Sequence, residues 1–503
     1  MGANCYNQAG ALCLGAMRES PLGGVLFGYL STAISYAFAL IYVIVLTRYI
    51  PLAQYGYYNA LMAIMGLIGL FFPTLGIDAA IAREGAMLHS RGLDVEDHYA
   101  ALLAISLAIS TAYTAALIIA TPLYLASRIP SRYLGLVYLY AAYVVLSAIN
   151  GAMSSYLWMT GRLATQGLGY VIGNMAFRSI EIALLVTMRS VYAILIGMVS
   201  GQAATAMYFI ARVRHLPNPA RGVSLIRRGL RRYLNYGFQN WLIGYLGSVG
   251  GYAITYMLYA FVGAEPVALY NIANYMLGAV TALGGSVSNV FGSRVAHAIG
   301  GGSDVERVIR DYAVAAVSVS GILAVGAALA APLLPILGII HGDYVQAIPY
   351  GMLLFGTAVL GPVGGMYTTY YWVSGRGWFA LGVSSIGVAV NVASLFVLLS
   401  LFRWLGLYAV VISTYLGSVV TVVIYLSLGR YGTTDIAVNT IVYLLPALAS
   451  AISYALSPNS WPMYQLSIFG AAVFITYLTR PIPRSVLDQL PRDLRPILRP
   501  FTS

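Results

Sequence analysis

The chain reads as an all-α polytopic membrane protein. About fourteen transmembrane helices are expected, as two repeat-related six-helix lobes around a central cavity plus a C-terminal helix pair. Three observations predict this: charge is scarce, apolar stretches long enough to cross a bilayer follow one another, and a short set of residues occurs twice in the same order. Of 503 residues, 60% are hydrophobic and 8% charged, against about 25% charged in an ordinary soluble domain. With a mean hydropathy of +0.81, the chain has too little charge to cover a soluble surface. All 27 basic residues are arginine, which excludes chemistry that requires an amine, such as a Walker-A lysine or a lysine Schiff base.

Residues 1–21 are expected to form an N-terminal tail. They lack the apolar run of a signal peptide, and Met17 is an alternative first residue. Cys5 and Cys13 have no metal-ligand spacing, and Gly2 with Cys5 is a weak lipidation pattern. Spans of about 20 apolar residues are read at 22–47, 55–80, 99–125, 133–158, 164–188 and 190–211, forming an N-lobe over 22–211. A C-lobe over 234–428 contains 234–262, 266–291, 312–338, 345–373, 378–402 and 406–428. Segments 436–457 and 461–479 form a last pair within 429–479, followed by a basic tail, 480–503. Frequent glycines within the spans allow close helix approach in a bilayer.

If the N-terminus is cytoplasmic, the outer loops hold only Arg48, Arg128, Arg132, Arg189 and Arg403, and Arg178 falls inside a span. All the others face inward, so both termini are expected in the cytoplasm. The connection 212–233 is the richest in arginine. Arg227, Arg228, Arg231 and Arg232 alternate with Leu225, Ile226, Leu230 and Leu234 at helical spacing. This predicts an amphipathic helix on the inner leaflet. It can serve as an anchor between lobes or as a site for an anionic headgroup.

The repeat is carried by Gly28-Tyr29-Leu30 with Tyr36, echoed by Gly244-Tyr245-Leu246 with Tyr252. Tyr58-Asn59 is echoed by Tyr270-Asn271, and Arg83 by Arg294. Two parallel repeats are the build of carriers with two lobes around a cavity.

Few side chains could act there. Arg178 and Glu181 lie three residues apart in span five. A charge at a helix centre costs roughly 2.5–3.5 kcal/mol, so the pair is either a polar cavity wall or a local tie between helices. Asp78, Arg83 and Glu84 close span two, with Arg294 in the repeat-related place. Two arginines on opposed lobes could grip a phosphate through their forked donors, or could act only as inner-face anchors. Gln239 and Asn240, next to Trp241, and Asn274, next to Tyr275, are polar candidates for lining a cavity. No histidine lies mid-span, and Asp94-Val95-Glu96-Asp97 reads as a solvated acidic loop. No catalytic residue, metal site or cofactor is therefore expected, and no nucleic-acid partner.

The stretch LTRYIPLAQYGYYNALMAI to LGIDAAIAREGA, with Arg48, Tyr55-Gly56-Tyr57, Gly76-Ile77-Asp78 and Arg83-Glu84, resembles a family. So do HGDYVQAIPYGMLL and the turns Gly161-Arg162 and Ser374-Gly375-Arg376. They are similar to polysaccharide-biosynthesis flippases of the Wzx type, in the multidrug/oligosaccharidyl-lipid/polysaccharide exporter superfamily. The resemblance implies a carrier that moves polyprenyl- or dolichyl-(di)phosphate-linked glycans across the cytoplasmic membrane by alternating access. It also implies a cationic cavity, a role that Arg83, Arg178 and Arg294 would fit. Membrane lipids are the other expected partners, and a coupling ion is left open. The alternatives are a cation-coupled small-molecule exporter of the MATE type, for which Glu181 is the clearly buried carboxylate, and a membrane glycosyltransferase, which lacks a large outer domain here.

Overall fold

The structure, a computed structural model, describes residues 38–213, 215–301, 304–428, 433–456, 461–482 and 499–502. The tail 1–21 with both cysteines, the Gly28–Tyr36 motif and most of 480–503 lie outside the described residues. What is described is helix joined by short turns. α1 is Phe38–Tyr49, α2 Leu52–Gly69, α3 Ile77–His89, α4 Glu96–Ala120, α5 Gly135–Met159, α6 Leu163–Met188 and α7 Tyr192–Val213. There follow α8 Pro219–Phe261, α9 Ala264–Gly301, α10 Val305–Ala330, α11 Ala347–Phe355, α12 Thr357–Val373, α13 Gly377–Leu401, α14 Leu407–Leu428, α15 Thr433–Leu456 and α16 Trp461–Thr479. Among the described residues, nine helices are long and apolar enough to cross a bilayer, or ten when the bent pair α11–α12 is one span. The other expected spans also carry helix, in α1, α2, α8 and α9.

Beside shifted ends, as in α9, which runs ten residues past 291, and α10, which starts and stops earlier than 312–338, three elements differ in organisation from the expected spans. The second, read as 55–80, is two helices. Pro73 cannot donate a backbone hydrogen bond, and Leu75 (φ 52°) and Gly76 (φ 74°) turn left-handed, so α2 stops and α3 starts afresh at Ile77. The Tyr113 hydroxyl of α4 donates to the Met65 carbonyl near the end of α2, at 2.5 Å. The span read as 345–373 bends by 43° between α11 and α12. There the Tyr415 hydroxyl donates to the Leu353 carbonyl (2.6 Å) and the Thr357 hydroxyl to Leu354 (2.6 Å), so the interrupted ladder keeps its partners away from water. Third, the basic stretch before span seven is no separate element: α8 runs through it without a break for 43 residues.

The chain divides into two compact units, 1–245 and 246–503. In the first, α6 and α7 pack together most extensively, and α5 packs on both α4 and α7. In the second, α10 is the central helix, touching α9, α12, α15 and α16. Its alanine- and glycine-rich sequence allows this, with Gly321 lying directly against Tyr443.

The repeat is visible inside each unit. Asn59 and Asn271 each donate to the carbonyl four residues back, at 2.8 and 2.9 Å. Gly173 on α6 faces Gly201 and Thr205 on α7, and Gly387 on α13 faces Gly417 and Thr421 on α14. Thr205 and Thr421 donate to the carbonyls of Gly201 (3.0 Å) and Gly417 (2.9 Å). The turns at Gly161 (φ 71°) and Gly375 (φ 77°) match. They extend to a longer echo than the glycine-arginine turns alone, Tyr156-Leu-Trp-Met-Thr-Gly-Arg162 against Tyr370-Tyr-Trp-Val-Ser-Gly-Arg376.

Gly76 in the α2–α3 turn and Gly237 on α8 meet backbone to backbone, and a Cβ on either would overlap the other. Gly237→Ala is therefore expected to destabilise the protein by about 1–3 kcal/mol, as overpacking does, despite the better helix propensity of alanine. Gly151→Ala on α5, where nothing lies within 4 Å, is expected to leave stability unchanged or raise it. Thermal unfolding of the two variants in detergent checks the contrast.

Candidate functional site

The first candidate is the charged pair inside α6. The i,i+3 spacing puts Arg178 and Glu181 on one helix face, and Arg178 Nη1 donates to Glu181 Oε2 at 2.7 Å. The Glu181 side chain is 0% exposed and that of Arg178 18%. Gly197 of α7 lies against the Glu181 Cβ, and a Cβ added at Gly197 would come within 2.7 Å of it, so the missing glycine side chain lets α7 close over the carboxylate. The guanidinium sits over the rings of Phe177 (4.3 Å) and Tyr42 on α1 (5.0 Å). Glu181 Oε1 has no hydrogen-bond partner among the described residues. The second unit builds the same helix pair differently. From Gly387 the related positions are Asn391 and Leu395, where Gly173 leads to Phe177 and Glu181, and Leu395 is fully buried.

The second candidate lies where α3, α4 and α8 meet. Gly222, Leu225, Ile226, Tyr233, Leu234 and Gly237 follow helical spacing along one face of α8. Gly222 lies against the backbone of Ala100 and Ala101 on α4, and Gly237 against Gly76. Leu225, Ile226, Tyr233 and Leu234 join a core with Ile77, Ala80 and Ile81 of α3, Tyr99 and Leu102 of α4, and Phe209 of α7. The apolar side of the basic helix thus packs on protein, and its arginines are left outward.

Glu84 of α3 is half-buried there, and both of its oxygens accept from Arg232 Nη2 at 2.5 Å. His98 of α4 is buried, with Nε2 3.9 Å from Glu84 Oε1, and neither ring nitrogen is hydrogen-bonded among the described residues. The Arg232 guanidinium also sits over the Tyr233 ring (5.3 Å). Burial pushes the Tyr233 phenol up, so it stays neutral beside the arginines. Arg228, Arg231, Arg232 and Asn235 line an open pocket of about 570 Å³. Three guanidiniums and an amide make a surface of hydrogen-bond donors suited to oxyanions.

The other residues singled out in the sequence are dispersed. Asp78 is half-buried in the first turn of α3, where a carboxylate complements the helix dipole. Arg83 is exposed on the same helix. Gln239 and Asn274 are half-buried on α8 and α9, and Asn274 hydrogen-bonds Tyr270. The side chains of Asn240 and Arg294 lie outside the described residues. Arg178 and Glu181 are brought together as the spacing expects. The Glu84–Arg232 pair joins residues 148 positions apart, and no local pattern signals it.

Comparison with known proteins places these features in a family. The model described as polysaccharide biosynthesis protein matches residues 22–291, more than half of the chain. No curated protein matches it in sequence. Among solved structures, it is similar to the lipid II flippase MurJ in an inward closed conformation, with a TM-score of 0.62 at 13% identity over 90% of this chain and 99% of that one. It is also similar to the inward-facing form of a multidrug resistance MATE family transporter of the MOP superfamily, with a TM-score of 0.62 at 16% identity, covering 81% and 95%. The outward-facing form of such a transporter gives 0.55 at 16% identity, covering 83% and 96%. At these identities the likeness is one of fold.

Removing one partner of a buried ion pair leaves the other charge unpaired and destabilises by about 3–5 kcal/mol, whereas replacing both with apolar groups is close to neutral. Arg178→Met alone is expected to show the full loss. Arg178→Met with Glu181→Leu, which copies the buried leucine of the second unit, is expected to recover most of it. Denaturation of the single and double variants measures both.

Proposed function

The chain belongs to the polysaccharide biosynthesis protein family, and from that premise we propose that it is a flippase for lipid-linked oligosaccharide or polysaccharide precursors. It carries them across the cytoplasmic membrane by alternating access. The family match is the observation that carries this reading. The fold supports it, because the lipid II flippase shares 90% of this chain's length in structure. Both termini lie in the cytoplasm in this reading, which the arginine distribution supports.

A lipid-linked glycan presents three parts: a phosphate or diphosphate, a sugar head and a long apolar chain. Arginine is the only side chain here that carries a full positive charge at neutral pH, and its planar fork matches phosphate oxygens. Arg83, on α3, and its repeat-related counterpart Arg294 are the proposed phosphate ligands. Asp78, Gln239, Asn240 and Asn274 are proposed to meet sugar hydroxyls. Arg178 is proposed to turn the exposed 18% of its side chain to the substrate path, with the fully buried Glu181 behind it balancing its charge so that a departing phosphate is not trapped. The interruptions at Pro73–Gly76 and between α11 and α12 supply places where helices can rebend without breaking whole spans.

A second reading, a cation-coupled exporter of the MATE type, is favoured by one observation, the equal TM-score of 0.62 to a MATE transporter. Such a carrier needs a carboxylate open to a cation. Glu181 is fully buried and bound to Arg178, which weighs against that use.

Vesicles reconstituted with the protein and a fluorescent polyprenyl-diphosphate oligosaccharide are expected to move the label between leaflets. Arg83→Gln and Arg294→Gln are each expected to slow this about tenfold or more, the worth of a charged hydrogen bond. Failure to accelerate any lipid-linked glycan, together with pH-driven export of an organic cation, would sink the flippase reading in favour of the second.

A further inference from the structure

The arginines of α8 have a feature that translocation does not use. Arg221, Arg227, Arg228 and Arg231 are exposed, and among the described residues none of the four is paired with a carboxylate. A positive-inside anchor requires charge and no particular geometry, yet here geometry is present. Arg228, Arg231, Arg232 and Asn235 succeed one another at i, i+3, i+4 and i+7, on one side of the helix, and line the open 570 Å³ pocket. Arg228 is oriented by its own helix, with Nε donating to the Ser224 carbonyl and Nη2 to the Ser224 hydroxyl, both at 3.2 Å. The helix cannot roll to hide these groups, because Gly222, Tyr233 and Gly237 hold its opposite face against α3 and α4.

Two further observations say what the pocket takes. Glu84 already offers it an anion: two carboxylate oxygens accept from Arg232, while that arginine keeps 66% of its side chain exposed. An internal carboxylate of this kind holds the place of an external oxyanion. In addition, Val223 (56% exposed) and Leu230 (41% exposed), seven residues apart, leave an apolar stripe open on the flank of the same helix beside Arg227, away from the pocket lining. A helix that carries both an exposed apolar stripe and a cationic side fits the boundary between water and lipid. There the apolar residues meet acyl chains while guanidiniums meet headgroups.

We propose that this pocket binds the phosphate headgroup of an anionic membrane lipid, with Arg228, Arg231 and Asn235 as its standing donors. Arg232 is recruited by exchange of Glu84 for the lipid phosphate. The pocket is then a lipid-sensing latch: an occupied site loosens the tie between α3 and α8, and an empty one closes it. It stands apart from the flippase reading, since lipid retention is measured without transport.

The test uses the full chain purified in mild detergent and mixed with phosphatidylglycerol or phosphatidylcholine, with retained lipid counted by native mass spectrometry. Wild type is expected to retain phosphatidylglycerol over phosphatidylcholine. Arg228→Gln with Arg231→Gln should lower that retention at least fivefold. Arg227→Gln, outside the pocket lining, should leave it within twofold. Glu84→Gln should raise it severalfold by removing the internal competitor, and this arm decides alone if the double variant does not fold. Equal losses from Arg227→Gln and Arg228→Gln would mean a diffuse positive surface and overturn the pocket. Unchanged or lower retention in Glu84→Gln would overturn the exchange. Sodium pyrophosphate that stabilises the protein as well as phosphatidylglycerol does would assign the site to a soluble phosphate and overturn the lipid.

Discussion

A peptide group in hydrocarbon has no water to bond, so each apolar segment must close its hydrogen bonds within itself and can only be helix. Helices with apolar surfaces gain little from hiding them in lipid, and cohere by close packing instead. That constraint explains the facing glycines of α6 and α7 and of α13 and α14, where Gly173 meets Gly201 and Gly387 meets Gly417. A threonine beside each contact turns its hydroxyl back to its own helix, so the polar atom is satisfied where two backbones touch. Where a span is interrupted, tyrosine hydroxyls from neighbouring helices take the exposed carbonyls, as Tyr113 and Tyr415 do.

The same scarcity of water separates two ion pairs of the first unit. Arg178 and Glu181 are enclosed by α7, and the attraction between them mainly offsets the penalty of bringing both out of water. Arg232 and Glu84 meet with the guanidinium two-thirds exposed. There solvent screens the attraction, and an exposed pair contributes about 1 kcal/mol or less. A bond that weak can be exchanged for another anion, whereas the enclosed one cannot be opened without unpacking α6 from α7. Burial, more than charge, therefore makes one pair fixed and the other exchangeable.

Hydropathy was enough to read much of the fold. The expected spans 164–188, 378–402 and 406–428 fall within a residue of α6, α13 and α14, because an uninterrupted apolar run has only one structure in a bilayer. The echo of Asn59 by Asn271 was legible too, and both side chains make the same bond. The break after α2 was not read. Pro73 and Gly76 stood in the sequence, but a hydropathy window averages over them. The reason Gly76 must be glycine is Gly237, 161 positions away in the chain. Of the candidate site, Arg178 with Glu181 was legible because both partners lie on one turn of helix. Glu84 with Arg232 was not, because they come from helices that only folding brings together.

By itself, then, the sequence determined what local chemistry determines: a helical membrane protein, a doubled plan, and an economy of charge in which each arginine inside or beside a span invites a reason. The tertiary structure decided which face of α8 is buried and which of its arginines finds a carboxylate. It also decided that Glu181 is sealed by a glycine of the next helix. Those choices depend on backbones approaching within a Cβ of each other, a distance set by the shapes of two distant segments together and by neither alone.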